Sequence, residues 1–101
     1  MDIEITTIAQ EINVKLIGSV TAADSDKLRQ GFDAVLATEG QKVMLDLTYV
    51  PTICSSGISI LIAIFRQLRE QNREFEIGGI HENLSSLFTS IHLDKLFKIA
   101  I

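Results

Sequence analysis

Leu47-Thr48-Tyr49-Val50-Pro51-Thr52-Ile53-Cys54-Ser55-Ser56-Gly57-Ile58-Ser59-Ile60-Leu61-Ile62-Ala63-Ile64-Phe65 runs for 19 residues without a charge. That length approaches the roughly 20 apolar residues that cross a bilayer. Its middle argues otherwise, because Pro51, Thr52, Ser55, Ser56 and Gly57 are polar or turn-prone and the apolar run after them is far too short to span. The stretch reads as the end of a strand, a loop and the start of a buried helix, with no membrane insertion. Upstream, Val43-Met44-Leu45-Asp46-Leu47 is apolar enough for a central strand, with Asp46 directed at a polar group or the sheet end. Downstream, Ile58, Leu61, Ile62, Phe65 and Leu68 recur at helical spacing from Gly57 onward, one face of a helix of about four turns. Ile60 and Ile64 lie beside that stripe, placed for burial under a neighbouring helix or for contact with a partner.

Phe75 and Ile77 then form a short strand ended by a turn at Gly78-Gly79. A strand, a long helix and a strand over residues 43–77 make a right-handed βαβ crossover with parallel strands. Toward the start of the chain, Ile3 and Ile5 alternate with polar residues, as do Ile12, Val14 and Leu16, and the link Ala9-Gln10-Glu11 joins the two segments as an antiparallel pair. After Gly18, Thr21-Ala22-Ala23-Asp24 has the form of a capping box. The helix it opens turns Leu28, Phe32, Val35 and Leu36 inward and stops at Gly40. Gly31 inside it costs about 1 kcal/mol relative to alanine. Leu84, Leu87, Phe88 and Ile91 define a short helix capped at Asn83, and Leu93, Leu96 and Phe97 a last turn. The sum is an α/β fold, a small mixed β-sheet of about four strands backed by about four helices, in a single domain over residues 1–101.

Composition narrows the function. A chain of 101 residues that is 47% hydrophobic and 22% charged is a globular domain and not a disordered tail. The net charge of −4, with both signs mixed along the chain, disfavours nucleic acid, whose phosphates require concentrated Lys and Arg. A single cysteine, Cys54, leaves no internal disulfide or cysteine-based zinc site and fits a reducing compartment. Asp2 and Glu4 stand where a secretion signal is apolar, which makes the cytoplasm the expected location.

Reactive side chains concentrate in Val50-Pro51-Thr52-Ile53-Cys54-Ser55-Ser56-Gly57. A helix N-terminus offers unpaired N–H groups and a partial positive charge, so either serine there is a cap, and a phosphate attached to one is stabilised. A serine-hydrolase elbow needs Gly-x-Ser-x-Gly, and the first glycine is missing. Cys54 beside the helix end is a candidate thiolate with His81 or His92 as its base, the alternative being an inert buried thiol. The two histidines have no metal-ligand spacing, and Gly78-Gly79 lacks the rest of a phosphate cradle, so no cofactor or metal is implied.

Leu45-Asp46-Leu47-Thr48-Tyr49-Val50, Cys54-Ser55-Ser56-Gly57-Ile58, Leu87-Phe88 and Leu93-Asp94-Lys95-Leu96-Phe97-Lys98-Ile99 together resemble STAS domains in order and spacing. Within that family the resemblance is to the stand-alone bacterial anti-sigma factor antagonists, with Gly18-Ser19-Val20-Thr21 falling at the family's Gly-Glu-Leu-Asp. The resemblance implies a partner-switching regulator and not an enzyme. A GHKL-type serine kinase that is also the anti-sigma factor phosphorylates the serine after the loop aspartate, and a PP2C-like phosphatase removes the phosphate. Carried onto this chain, the acceptor is Ser55, with Ser56 adjacent. The partner contact comprises Cys54, Ser55, Ser56, Gly57, Ile58, Ile60 and Ile64, with Thr21 and Asp24 at its polar rim. The chain departs from the pattern where Cys54 and Thr21 replace aspartates and His92 replaces a glycine. Those departures motivate an alternative, a STAS subunit that takes no phosphate and binds constitutively in a transporter or lipid-trafficking complex.

Overall fold

A computed structural model of the chain describes residues 1–99; residues 100 and 101 of the expected single domain lie outside the described residues. In chain order the elements are β1 (Asp2–Ile8), β2 (Glu11–Ile17), α1 (Ser25–Ala37), β3 (Lys42–Tyr49), α2 (Ser55–Glu70), β4 (Glu74–Ile80), α3 (Glu82–Ser90) and β5 (Lys98–Ile99). Single-turn 3-10 helices occur at Ala22–Asp24 and Leu93–Lys95. The sheet order is β1-β2-β3-β4-β5, antiparallel between β1 and β2 and parallel elsewhere. Among the described residues, four full strands and a fifth at Lys98–Ile99 therefore make the mixed sheet, and three α-helices with two 3-10 turns stand where about four helices were expected.

The period of two decides which face is covered. Ile12, Val14 and Leu16 on β2, Val43, Leu45 and Leu47 on β3 and Phe75 and Ile77 on β4 are all buried. Leu28, Phe32 and Val35 of α1, Leu61 and Leu68 of α2 and Leu84 and Phe88 of α3 join them in one apolar cluster. The 19-residue uncharged stretch divides into the end of β3, a loop and most of α2, and no helix among the described residues is long and apolar enough to cross a membrane.

Several local expectations are corrected. Gly78-Gly79 is not a turn; both residues lie inside β4, where the register with β3 shifts between Leu45 and Asp46. A Cβ on Gly78 would sit 2.6 Å from Met44 Sδ, so the glycine permits close approach of the neighbouring strand's side chain. Asp46 faces a polar group of its own strand, accepting from Thr48 N at 2.9 Å and from Thr48 Oγ1. The cap of α3 is His81, whose Nδ1 accepts from Asn83 N at 3.0 Å, and not Asn83 itself. His92, at the family's glycine, takes the left-handed conformation that closes α3, with φ +64°.

Helix α1 ends at Ala37, before Gly40, and Arg73 closes that end. Its Nε donates to Gly40 O at 2.6 Å and its NH2 group to Thr38 O at 3.0 Å, just after the helix, and the guanidinium also reaches Leu36 O and Val35 O of the last turn at 3.5 and 3.4 Å. Gly31 also has a reason for being glycine, since a Cβ there would lie 2.8 Å from Ile3 Cδ1 of β1.

Candidate functional site

The parallel strands β2 and β3 end side by side, and their outgoing loops are stitched together. Val20 and Ile53 form an isolated parallel bridge; Val20 N donates to Thr52 O at 3.0 Å and Cys54 N to Val20 O at 2.9 Å. Gly18, at φ +95°, donates to Tyr49 O at 2.9 Å one step earlier. These bonds place the start of α2 against the turn that leads into α1.

Helix α2 begins at Ser55, two residues earlier than Gly57, and its N-cap is Cys54 in extended backbone. The N-cap position expected of a serine thus falls to the cysteine, whose side chain makes no capping hydrogen bond to the helix backbone. Cys54 Sγ lies 3.1 Å from Ser56 Oγ, and Ser56 Oγ lies 2.9 Å from Ser25 Oγ at the first residue of α1. The Ser56 hydroxyl, then the backbone N–H of Gly57, hold the Cys54 thiol below its ordinary ionisation range against the opposing effect of desolvation. Gly57 is buried, and a Cβ there would meet Ile53 Cγ1 at 2.8 Å and Val20 Cγ1 at 3.0 Å. Glycine is what lets the two loops close on each other.

The two adjacent serines differ. Ser56 is half-buried and its hydroxyl is engaged on both sides, whereas Ser55 is exposed and its carbonyl oxygen accepts from Ser59 Oγ at 3.1 Å. The first turn of α2 holds no acidic residue, while α1 has Asp26 and α3 has Glu82 at the corresponding place. The positive end of the α2 dipole is therefore uncompensated, and an anion on Ser55 would be stabilised there.

Thr21 and Asp24 form the expected box on the 3-10 turn, and α1 proper begins at Ser25. Asp24 Oδ2 accepts from Thr21 N at 2.8 Å and from Thr21 Oγ1 at 3.0 Å, and Oδ1 lies 3.5 Å from the Met1 ammonium. The Thr21 N–H is the main cause that holds this carboxylate below its usual range.

Ile60 and Ile64 are 6% and 4% exposed, covered from the α1 side, while Ile58 of the expected stripe is only half-buried. The inward face of α2 is accordingly Ile60, Leu61, Ile64 and Leu68. Ile60 and Ile64 line a groove of about 380 Å³ between α1 and α2, with Arg29 and Asp33 on one side and Gln67 on the other. His81 is used as a helix cap, and among the described residues no group of three His, Cys, Asp or Glu side chains could hold a metal ion. Ser25 is the site residue that sequence reading missed. Its position just after the capping box marked a helix start, but the contact across 31 positions to Ser56 has no local signature.

Comparison with known proteins bears on this corner. The sequence matches the family model of the STAS domain over residues 2–100. An anti-sigma-B factor antagonist of Listeria monocytogenes is 25% identical over 88 residues, which are 87% of this chain and 77% of that protein. In three dimensions an anti-sigma factor antagonist from Mycobacterium paratuberculosis superposes with a TM-score of 0.86 at 21% identity, covering 97% of this chain and 83% of its own. The Bacillus cell fate determinant SpoIIAA in its phosphorylated form gives a TM-score of 0.76 at 11% identity, covering 99% and 92%. At these identities the structural matches establish a shared fold.

Proposed function

The chain belongs to the STAS domain family, and from that membership we propose that it is an anti-sigma factor antagonist, a regulator that binds an anti-sigma factor and is switched by phosphorylation of Ser55. The partner is a GHKL-type serine kinase that is itself the anti-sigma factor, and a PP2C-like phosphatase reverses the modification in the cytoplasm. The chain acts as substrate and ligand and not as a catalyst. One observation carries the reading. Of two neighbouring hydroxyls at an uncompensated helix N-terminus, Ser55 is the exposed one, and Ser56 is held between Cys54 and Ser25.

The unmodified corner meets its partner with Cys54, Ser55, Ser56, Gly57 and Ile58, rimmed by Thr21 and Asp24. The contact continues into the groove over Ile60 and Ile64. A phosphate on Ser55 adds about −1.5 to −2 charges to a loop that carries none, and the contact is lost through desolvation and repulsion. The existence of a phosphorylated form of SpoIIAA supports the reading by analogy. The alternative, a constitutive STAS subunit in a transporter or lipid-trafficking complex, is favoured by Cys54, which stands at the N-cap position of α2 in place of the family's loop carboxylate.

Calorimetric titration of a GHKL-type anti-sigma factor kinase separates the two. Wild-type chain binds, and Ser55→Glu binds at least about tenfold more weakly. Equal affinity of the two proteins would overturn the switch.

A further inference from the structure

Strand β1 is the outer strand of the sheet, and its burial runs exposed at every residue but Ile3. Exposed edges are ordinarily blunted by lysine, proline, a bulge or a covering element. β1 contains no lysine or proline, and its pairing with β2 runs from Asp2 to Ile8 without a register shift. Its charges, Asp2 and Glu4, are confined to the first half, and Ile5-Thr6-Thr7-Ile8 is uncharged and β-branched throughout. Ile5 and Ile8 are 42% and 65% exposed, two of the four large apolar residues so exposed among the described residues.

The turn decides what this edge can pair with. The two-residue loop Ala9-Gln10 closes on the pair Ile8 and Glu11. Hydrogen-bonded rungs to β2 then fall at Ile8, Thr6, Glu4 and Asp2, which leaves the N–H and C=O groups of Ile3, Ile5 and Thr7 directed outward. We propose that a second copy of this chain occupies the edge, β1 against β1, antiparallel about a two-fold axis through Ile5.

In that register Ile5 faces its own mate and Ile3 faces Thr7, so every outward residue of the strand pairs, with about six new hydrogen bonds. Glu4 falls opposite Thr6 and Asp2 opposite Ile8, so each carboxylate meets an uncharged side chain. Centring the axis on Glu4 sets two carboxylates face to face, and centring it on Thr6 moves Ile3 off the end of the strand. The sequence of β1 is thus complementary to itself in one register. The dimer lies at the sheet edge, across β1.

Sedimentation velocity on the full chain from about 1 μM to 1 mM tests this, with dimer expected to appear as concentration rises. Ile5→Lys places two ammonium groups opposite each other and weakens association at least about tenfold. Ile91→Lys alters an isoleucine of matching exposure, 44%, away from β1 and leaves association unchanged. In a Cys54→Ser background, Ile5→Cys crosslinks between chains under mild oxidation, because a hydrogen-bonded antiparallel pair sets Cα atoms about 5.5 Å apart; Ile91→Cys does not. A wild-type monomer throughout the range, a dimer that survives Ile5→Lys, or no crosslink at Ile5→Cys would overturn the proposal.

Discussion

The two ends of the β3-α2-β4 crossover are built from opposite materials. At the far end Arg73 spends its guanidinium on backbone carbonyls, reaching Gly40 O at 2.6 Å and Thr38 O at 3.0 Å, and so locks the end of α1 to the start of β4. At the near end the helix opens with a thiol, two hydroxyls and a glycine, and its dipole meets no carboxylate in the first turn. Charge is placed where the fold has to be closed. It is withheld at the first turn of α2, where the proposed phosphate would be added. On the proposed reading, a helix end without a first-turn carboxylate beside the exposed Ser55 is a position from which a phosphate would alter affinity without remaking the core.

Breaking the closed end has the largest expected effect. Arg73→Ala leaves several carbonyls without their charge-assisted donor and destabilises the fold by about 2 kcal/mol, lowering the thermal midpoint by roughly 10 °C. Arg73→Lys recovers only part of this, because one ammonium cannot reproduce the guanidinium fork. Completing the open end has a smaller effect of the opposite sign. Cys54→Asp supplies a carboxylate at the N-cap and stabilises by about 1 kcal/mol at neutral pH. An aspartate there has its folded pKa depressed. The gain is therefore present above about pH 4 and disappears as pH falls through the lower folded value, a loss that denaturation at pH 7 and at about pH 2.5 reveals.

The smallest effect concerns the thiol. Because Cys54 ionises below the ordinary thiol range, its contribution to stability is present at alkaline pH and is lost as pH falls through the folded value. The pH profile of alkylation reads this directly. Wild type has its inflection below that of the unfolded chain, and Ser56→Ala shifts it upward, since the Ser56 hydroxyl is the largest cause of the depression. An inflection unmoved by Ser56→Ala would assign the shift to the helix backbone alone.

Much of the fold was legible because it is local. The alternation in Ile12, Val14 and Leu16 names the covered face of β2, and the helical spacing of Leu28, Phe32 and Val35 names that of α1. What escaped was set by neighbours distant in sequence. A Gly-Gly pair ordinarily signals a turn, and only the Met44 side chain on the adjacent strand shows why Gly78 sits inside β4. For Ile60 and Ile64 the sequence leaves burial under a neighbouring helix and contact with a partner both open, and only the packing of α1 on α2 decides for burial. At the candidate site the loop and its serines were readable from residue type. Residue type alone did not separate Ser55 from Ser56; the family resemblance named Ser55, and the difference in how the two hydroxyls are held depends on Ser25, 31 positions from Ser56.

That distinction is the central claim, and phosphosite mapping tests it most directly. The wild-type chain is incubated with a GHKL-type anti-sigma factor kinase and ATP beside Ser55→Ala and Ser56→Ala, and the incorporated phosphate is located by mass spectrometry. Phosphate on Ser55 in wild type, retained in Ser56→Ala and absent from Ser55→Ala, is the predicted result. Phosphate on Ser56, or equal incorporation into Ser55→Ala and wild type, would contradict it.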